Sequence, residues 1–138
     1  MYSWDLAKKA CTTDLVSMES DDEWEYLKNI TKTMEGRWYI GLKDSSSKWC
    51  WLSNMNDCIN QTFSIPRSGK WRWYMHEPNN LRKEHCVEMF RDGSYNNVAC
   101  NVTYKGRKAN GGYICERSVG KAISFLCVNA ALHVVLFE

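Results

Sequence analysis

Trp73-Tyr74-Met75-His76-Glu77-Pro78-Asn79-Asn80 is followed by Glu84-His85-Cys86-Val87, by Tyr95-Asn96-Asn97-Val98-Ala99-Cys100, and by Gly112-Tyr113-Ile114-Cys115-Glu116. Carboxylates and amides crowd around a proline, with two cysteines close by. Oxygen donors of this kind suit a hard cation such as Ca²⁺, which takes about six to eight of them. A soft-metal site is a poorer reading, because the cysteines have no close CxxC spacing and the histidines no HxxxH spacing.

The order and spacing of these residues resemble the C-type lectin domain. Trp73 stands four residues before Glu77-Pro78-Asn79, Glu84 two before Cys86, and Asn97 three before Cys100. A second match is Trp38-Tyr39-Ile40-Gly41-Leu42, which is similar to the family's core strand. The resemblance runs from Ser3 to Glu116. It implies an α+β fold in which two helices pack on short antiparallel sheets beside a long ligand-binding loop, with disulfides as staples.

The remaining sequence agrees with that class. At 138 residues a single domain is expected. The 18 basic and 16 acidic residues leave a net charge of +2 without a basic stripe, so nucleic acid is not an expected partner. Seven cysteines argue for an oxidising compartment. The sequons at Asn29, Asn60 and Asn101 point the same way, towards an extracellular or cell-surface domain. Met1 to Asp5 has neither the basic start nor the apolar run of a signal peptide, so the chain reads as a piece of a longer precursor or an incomplete gene model.

Local signals place the elements. Ser3 caps a short helix with Leu6, Ala7, Ala10 and Cys11 on one face. Leu15 to Met18 reads as a brief strand. Ser20 and Glu23 form a capping box for a helix carrying Trp24, Leu27, Ile30 and Met34, ended by Gly36. Trp49 and Trp51 flank Cys50 in another strand. Ser53 to Lys70 reads as a long polar loop, and strands follow near Val87–Phe90, Val98-Ala99 and Tyr113–Cys115. The domain is assigned residues 1–117, leaving an apolar tail at 118–138 that matches nothing in the family. The apolar run from Ala122 to Phe137 is shorter than the roughly 20 residues that span a bilayer. A membrane contact is therefore expected only if it is the start of an anchor. Otherwise the tail is expected to pack loosely or stay disordered, adding nothing to the fold.

Six cysteines alone would allow fifteen pairings. The resemblance implies Cys11 with Cys115 and Cys86 with Cys100. Cys50 and Cys58 remain, close enough in sequence for a third bridge, and Cys127 in the tail is left over. The resemblance also implies a Ca²⁺ site at Glu77, Asn79, Glu84, Asn96 and Asn97, where vicinal sugar hydroxyls would complete the ion's coordination. Glu-Pro-Asn resembles the order found in members that bind mannose, fucose or N-acetylglucosamine, and Pro78 matches a proline that is cis in the family. One departure weakens the ion: family binders carry Trp-Asn-Asp where this chain has Tyr95-Asn96-Asn97, so a negative charge is missing. Arg82 and Lys83 add unfavourable charge nearby.

The implied function is carbohydrate recognition, with a Ca²⁺-independent protein-binding module for a cell-surface ligand as the alternative. No catalytic set supports an enzyme. His76, His85 and His133 read as ordinary surface or core residues. Trp71 and Trp73 could stack on sugar rings but read as core.

Overall fold

The computed structural model describes residues 3–45, 48–59, 71–103, 110–119, 121–128 and 131–136. Helix α1 (Trp4–Ala10) leads through β1 (Asp14–Leu15) into α2 (Asp21–Thr31). Strands β2 (Arg37–Ser45), β3 (Lys48–Trp51) and β4 (Asn54–Cys58) follow, then β5 (Cys86–Phe90), β6 (Tyr95–Val98), β7 (Asn110–Val119), β8 (Lys121–Val128) and β9 (Ala131–Leu136).

Both helices start as their sequences dictate. Ser3 Oγ accepts from the Leu6 amide, and Ser20 Oγ accepts from the Glu23 amide. The Glu23 carboxylate answers by accepting from the Ser20 hydroxyl, and a main-chain bond from Ser20 also acts on it. The face that α1 buries differs from the expected one. Trp4, Ala7 and Cys11 point inward, while Leu6 and Ala10 are exposed. A full indole outweighs a leucine in apolar area, and Trp4 also donates through Nε1 to the Ile40 carbonyl at 2.8 Å. Helix α2 ends at Thr31, so Met34 packs from the turn beyond it.

Strand β2 organises the sheet. It pairs antiparallel with β3 and β5, and parallel with β7. The longest path is β4-β3-β2-β7-β8-β9, with β1 on β7 and β6 on β5. Both faces of β2 are covered. Trp38, Ile40 and Leu42 join a cluster with Trp49, Trp51, Trp73, Met89 and Tyr95, while Tyr39 faces Trp4, Leu15 and Val98. The period-two alternation of a strand divides the two cores. An indole that buries about 150–250 Å² contributes about 4–6 kcal/mol before entropy is subtracted, so these tryptophans dominate the fold.

Three disulfides close the frame: Cys11–Cys115, Cys50–Cys58 and Cys86–Cys100. Two expectations need correction. The long loop does not begin at Ser53, because Asn54–Cys58 is a strand that pairs back on β3, placing Cys58 opposite Cys50; residues 60–70 lie outside the described set. The tail does add to the fold. Residues 121–128 pair antiparallel with β7, and 131–136 pair with β8. The open edge of β7 offers unpaired N–H and C=O groups, which a following segment satisfies by hairpin return. Among the described residues no helix is long and apolar enough to cross a membrane.

Candidate functional site

The segment from Trp71 to Asn80 enters the site from the core. Trp73 is buried, and its main chain bridges that of Tyr95 on β6. Arg72 anchors the entry. Its guanidinium, almost wholly buried, donates to the Met18 and Ser20 carbonyls, to Tyr95 Oη and to Asp21. It also lies over the rings of Trp24, Trp71 and Tyr95. Tyr95, standing where family binders have Trp, therefore serves the core. Trp73 is too buried to stack on a ligand.

Beyond Trp73 the chain turns outward. The Glu77–Pro78 bond is cis, and His76 and Asn80 on either side adopt positive φ, 67° and 46°. Asn tolerates that conformation better than most residues. The loop from Asn79 to Glu84 is knitted internally: Lys83 and Glu84 amides donate to the Asn80 carbonyl, and Asn80 Nδ2 donates to Glu84 Oε1 at 3.0 Å. Asn79 Nδ2 donates to Glu77 Oε1 at 2.8 Å. His85 closes the loop's base, bridging Asp44 Oδ2 and the Arg82 carbonyl.

Of the five expected ligands, Glu77, Asn79, Glu84 and Asn97 are brought together here, while Asn96 bonds to Glu88 beside them. Asn97 is fully buried; its Oδ1 accepts from the Asn79 amide and its Nδ2 donates to the carbonyls of Asn79 and Glu84. Asn96 is its neighbour on β6, so strand alternation points its side chain away from that of Asn97 and toward Glu88, which itself lies near enough to Glu77 to act on it. There Asn96 Nδ2 donates to Glu88 Oε1 at 2.9 Å, an oxygen that also pairs with Arg37 at 3.1 Å. Glu88 and Asn80 are polar members of this neighbourhood that motif spacing did not single out. Glu88 sits inside the apolar run Val87–Phe90, and its place opposite Asn96 becomes visible once β5 and β6 are in register.

The electrostatics centre on Glu77. Burial pushes its carboxyl up to about 7; a main-chain bond from Asn79 offsets part of this, while Glu84 and Glu88 add repulsion. Its Oε2 is buried and meets no hydrogen-bond donor among the described residues. A buried acceptor facing like charges lacks a donor or a cation. Among the described residues no three His, Cys, Asp or Glu side chains converge as a metal cluster. Any cation here must accordingly rely on two carboxylates and amide oxygens. Hard oxygen donors and an orphaned carboxylate oxygen fit Ca²⁺ at Glu77, Asn79 and Glu84. Asn96 spends an amide N–H on Glu88, and Asn97 spends its own on the Asn79 and Glu84 carbonyls.

Comparison with known sequences agrees with this frame. A profile of the lectin C-type domain matches residues 1–117. This chain belongs to the C-type lectin domain family. Mouse L-selectin is 32% identical over 108 residues, covering 72% of this chain and 27% of that protein. Mouse CD209 antigen-like protein A is 35% identical over 103 residues, covering 71% and 39%. The chain thus spans well under half the length of these curated relatives. Among solved structures, the carbohydrate-recognition domain of mouse scavenger receptor C-type lectin aligns with a TM-score of 0.56 at 25% identity, covering 72% of this chain and 73% of that one. The cow CD23 carbohydrate-recognition domain, solved in the presence of a GlcNAc2Man3 oligosaccharide, aligns at 0.52 and 26%, covering 72% and 71%. Two helices and a mixed sheet give this chain the C-type lectin fold, braced by three disulfides among its described residues. The C-type lectin domain is a binding module, and this chain is not an enzyme.

Proposed function

We propose that this domain recognises carbohydrate at the face formed by Glu77, Asn79 and Glu84, outside the cell or on its surface. The observation that carries the reading is the orphaned Glu77 oxygen, held beside Glu84 and the Asn79 amide. Ca²⁺ bound there by Glu77, Asn79 and Glu84 would neutralise the converging carboxylates and offer open coordination positions to vicinal sugar hydroxyls. The protein's own part is to hold the donors together. The cis Glu77–Pro78 turn and the Asn79–Glu77 bond present one edge, and Asn80 steadies Glu84. The Glu-Pro-Asn order favours glycans of the mannose, fucose or N-acetylglucosamine type, and the three disulfides suit an oxidising compartment.

With only two carboxylates at the site, the ion should bind weakly, at about 10⁻³ M. A glycan array run with Ca²⁺ and with EDTA tests the reading. Binding of mannose-type glycans that EDTA removes, and that Glu77→Gln removes, is the expected result. No glycan bound in either condition would refute it.

One observation favours a Ca²⁺-independent protein ligand instead. Tyr74, Met75 and Leu81 flank the turn and are 48%, 60% and 54% exposed. Apolar side chains of this size beside a polar edge suit a protein surface. Binding that survives EDTA and depends on these residues would select that reading.

A further inference from the structure

We infer that the buried carboxamide of Asn97 is an internal clamp, holding the loop from Asn79 to Glu84 in its ligand-presenting shape without a metal ion. This inference does not require the Ca²⁺ reading above. An asparagine amide has two N–H donors and one carbonyl acceptor. In Asn97 each meets a main-chain group of the loop. Oδ1 takes the Asn79 amide at 2.9 Å, while Nδ2 gives to the Asn79 carbonyl and, at 3.0 Å, to the Glu84 carbonyl. The first two contacts pair the side chain with one residue's N–H and C=O, as a neighbouring strand would. The third reaches the loop's other end. Among the described residues, the hydrogen bonds that tie residues 79–84 to β6 all run through this one side chain. It is fully buried, so water cannot substitute.

The chemistry of position 97 decides what can close the loop. An aspartate there has no N–H. Its carboxylate would face the carbonyl oxygens of Asn79 and Glu84, an arrangement of acceptors alone, which repel unless a cation lies among them. An asparagine satisfies the same two carbonyls with its own hydrogens. Exchanging one NH₂ for one O therefore converts closure by the protein into closure by an ion. Asn97 is a positioning residue: it touches the loop that presents Glu77, Asn79 and Glu84.

Amide hydrogen exchange at Asn79, Lys83 and Glu84, with thermal melts, tests this on the oxidised full chain in EDTA and in excess Ca²⁺. The wild type should already protect these amides in EDTA, with excess Ca²⁺ adding only what its binding to the same loop supplies. Asn97→Asp in EDTA should exchange them at least about tenfold faster, since both bonds from Asn97 Nδ2 are lost, and melt several degrees lower. If Ca²⁺ restores both in the variant, the clamp and the ion site both stand. If the variant loosens in EDTA and Ca²⁺ does nothing, the clamp stands and the Ca²⁺ reading falls. Wild-type amides protected only in Ca²⁺, or an Asn97→Asp variant unchanged in EDTA, would overturn the clamp. The wild-type comparison decides the matter even if the variant does not fold.

Discussion

Gly41→Ala probes the frame that carries the site. Gly41 lies in β2, where its amide donates to the Val16 carbonyl at 2.7 Å and its carbonyl accepts from the Leu52 amide at 2.9 Å. The register between β2 and β5 shifts between Ile40 and Lys43, so this glycine sits in a bulge. A Cβ added here would stand 2.5 Å from the Leu15 carbonyl oxygen, 2.8 Å from that of Val16 and 3.0 Å from the Leu15 carbonyl carbon. All three are backbone atoms, so no side chain can rotate aside, and the chain at Leu15 and Val16 must retreat. Leu15 is fully buried and pairs with Cys115, which is bonded to Cys11, so the movement is resisted on several sides. Overpacking usually costs about 1–3 kcal/mol, and a clash with constrained backbone belongs in the upper half, about 2–3 kcal/mol. At roughly 3–5 °C per kcal/mol for a chain of this length, the melting midpoint should fall by about 6–15 °C. Circular dichroism melts of the oxidised protein would measure it. A midpoint within about 2 °C of wild type would refute the argument that direct main-chain contact sets the spacing of Leu15, Val16 and β2.

Two further outcomes follow from the frame and its buried acids. Replacing Cys11 and Cys115 together by serine should cost about 4–5 kcal/mol in the chain-entropy model, against about 3 kcal/mol for the Cys86 and Cys100 pair, because the closed loops differ so much in length; denaturant titration of the two double variants checks the order. Burial raises the Glu116 carboxyl to about 7, with repulsion from Glu23, Glu19 and Asp14 adding to it and a bond from Ser17 opposing it. The folded state therefore keeps a proton that the unfolded chain loses near its ordinary value of 4.5, so this group's contribution to stability declines as pH rises from about 4.5 to about 7. Glu116→Gln should flatten that decline, and the difference in melting temperature between variant and wild type should favour the variant increasingly from pH 5 to pH 8, by about the same range of titration; a difference independent of pH would count against it.

The parts of this protein legible in its sequence are those specified by neighbours along the chain. A serine three residues before a glutamate caps α2 wherever that helix goes. The run Trp38 to Leu42 is apolar on both faces and so had to be a covered strand. The turn at Glu77-Pro78-Asn79, flanked by amides and acids, shows its oxygen donors through residue types alone, and the family resemblance made it the candidate site. The family resemblance extended this to distant partners, pairing Cys11 with Cys115 and Cys86 with Cys100.

What tertiary structure decided is how each side chain spends its donors and acceptors. Asn96 and Asn97 are adjacent and chemically identical, yet the pleat of β6 sends one to Glu88 and the other to the loop. Leu6 is as apolar as a core residue and is exposed, because Trp4 reaches the Ile40 carbonyl from the other side of α1. Asn54–Cys58 reads as polar loop and is a strand, because β3 supplies hydrogen-bond partners that local propensity does not count. The apolar tail carries no local sign of its place, and the free edge of β7 provides one. In each case the deciding partner lies far along the chain or on another element. Local periodicity reports which residues want burial, whereas register and strand order determine which groups meet.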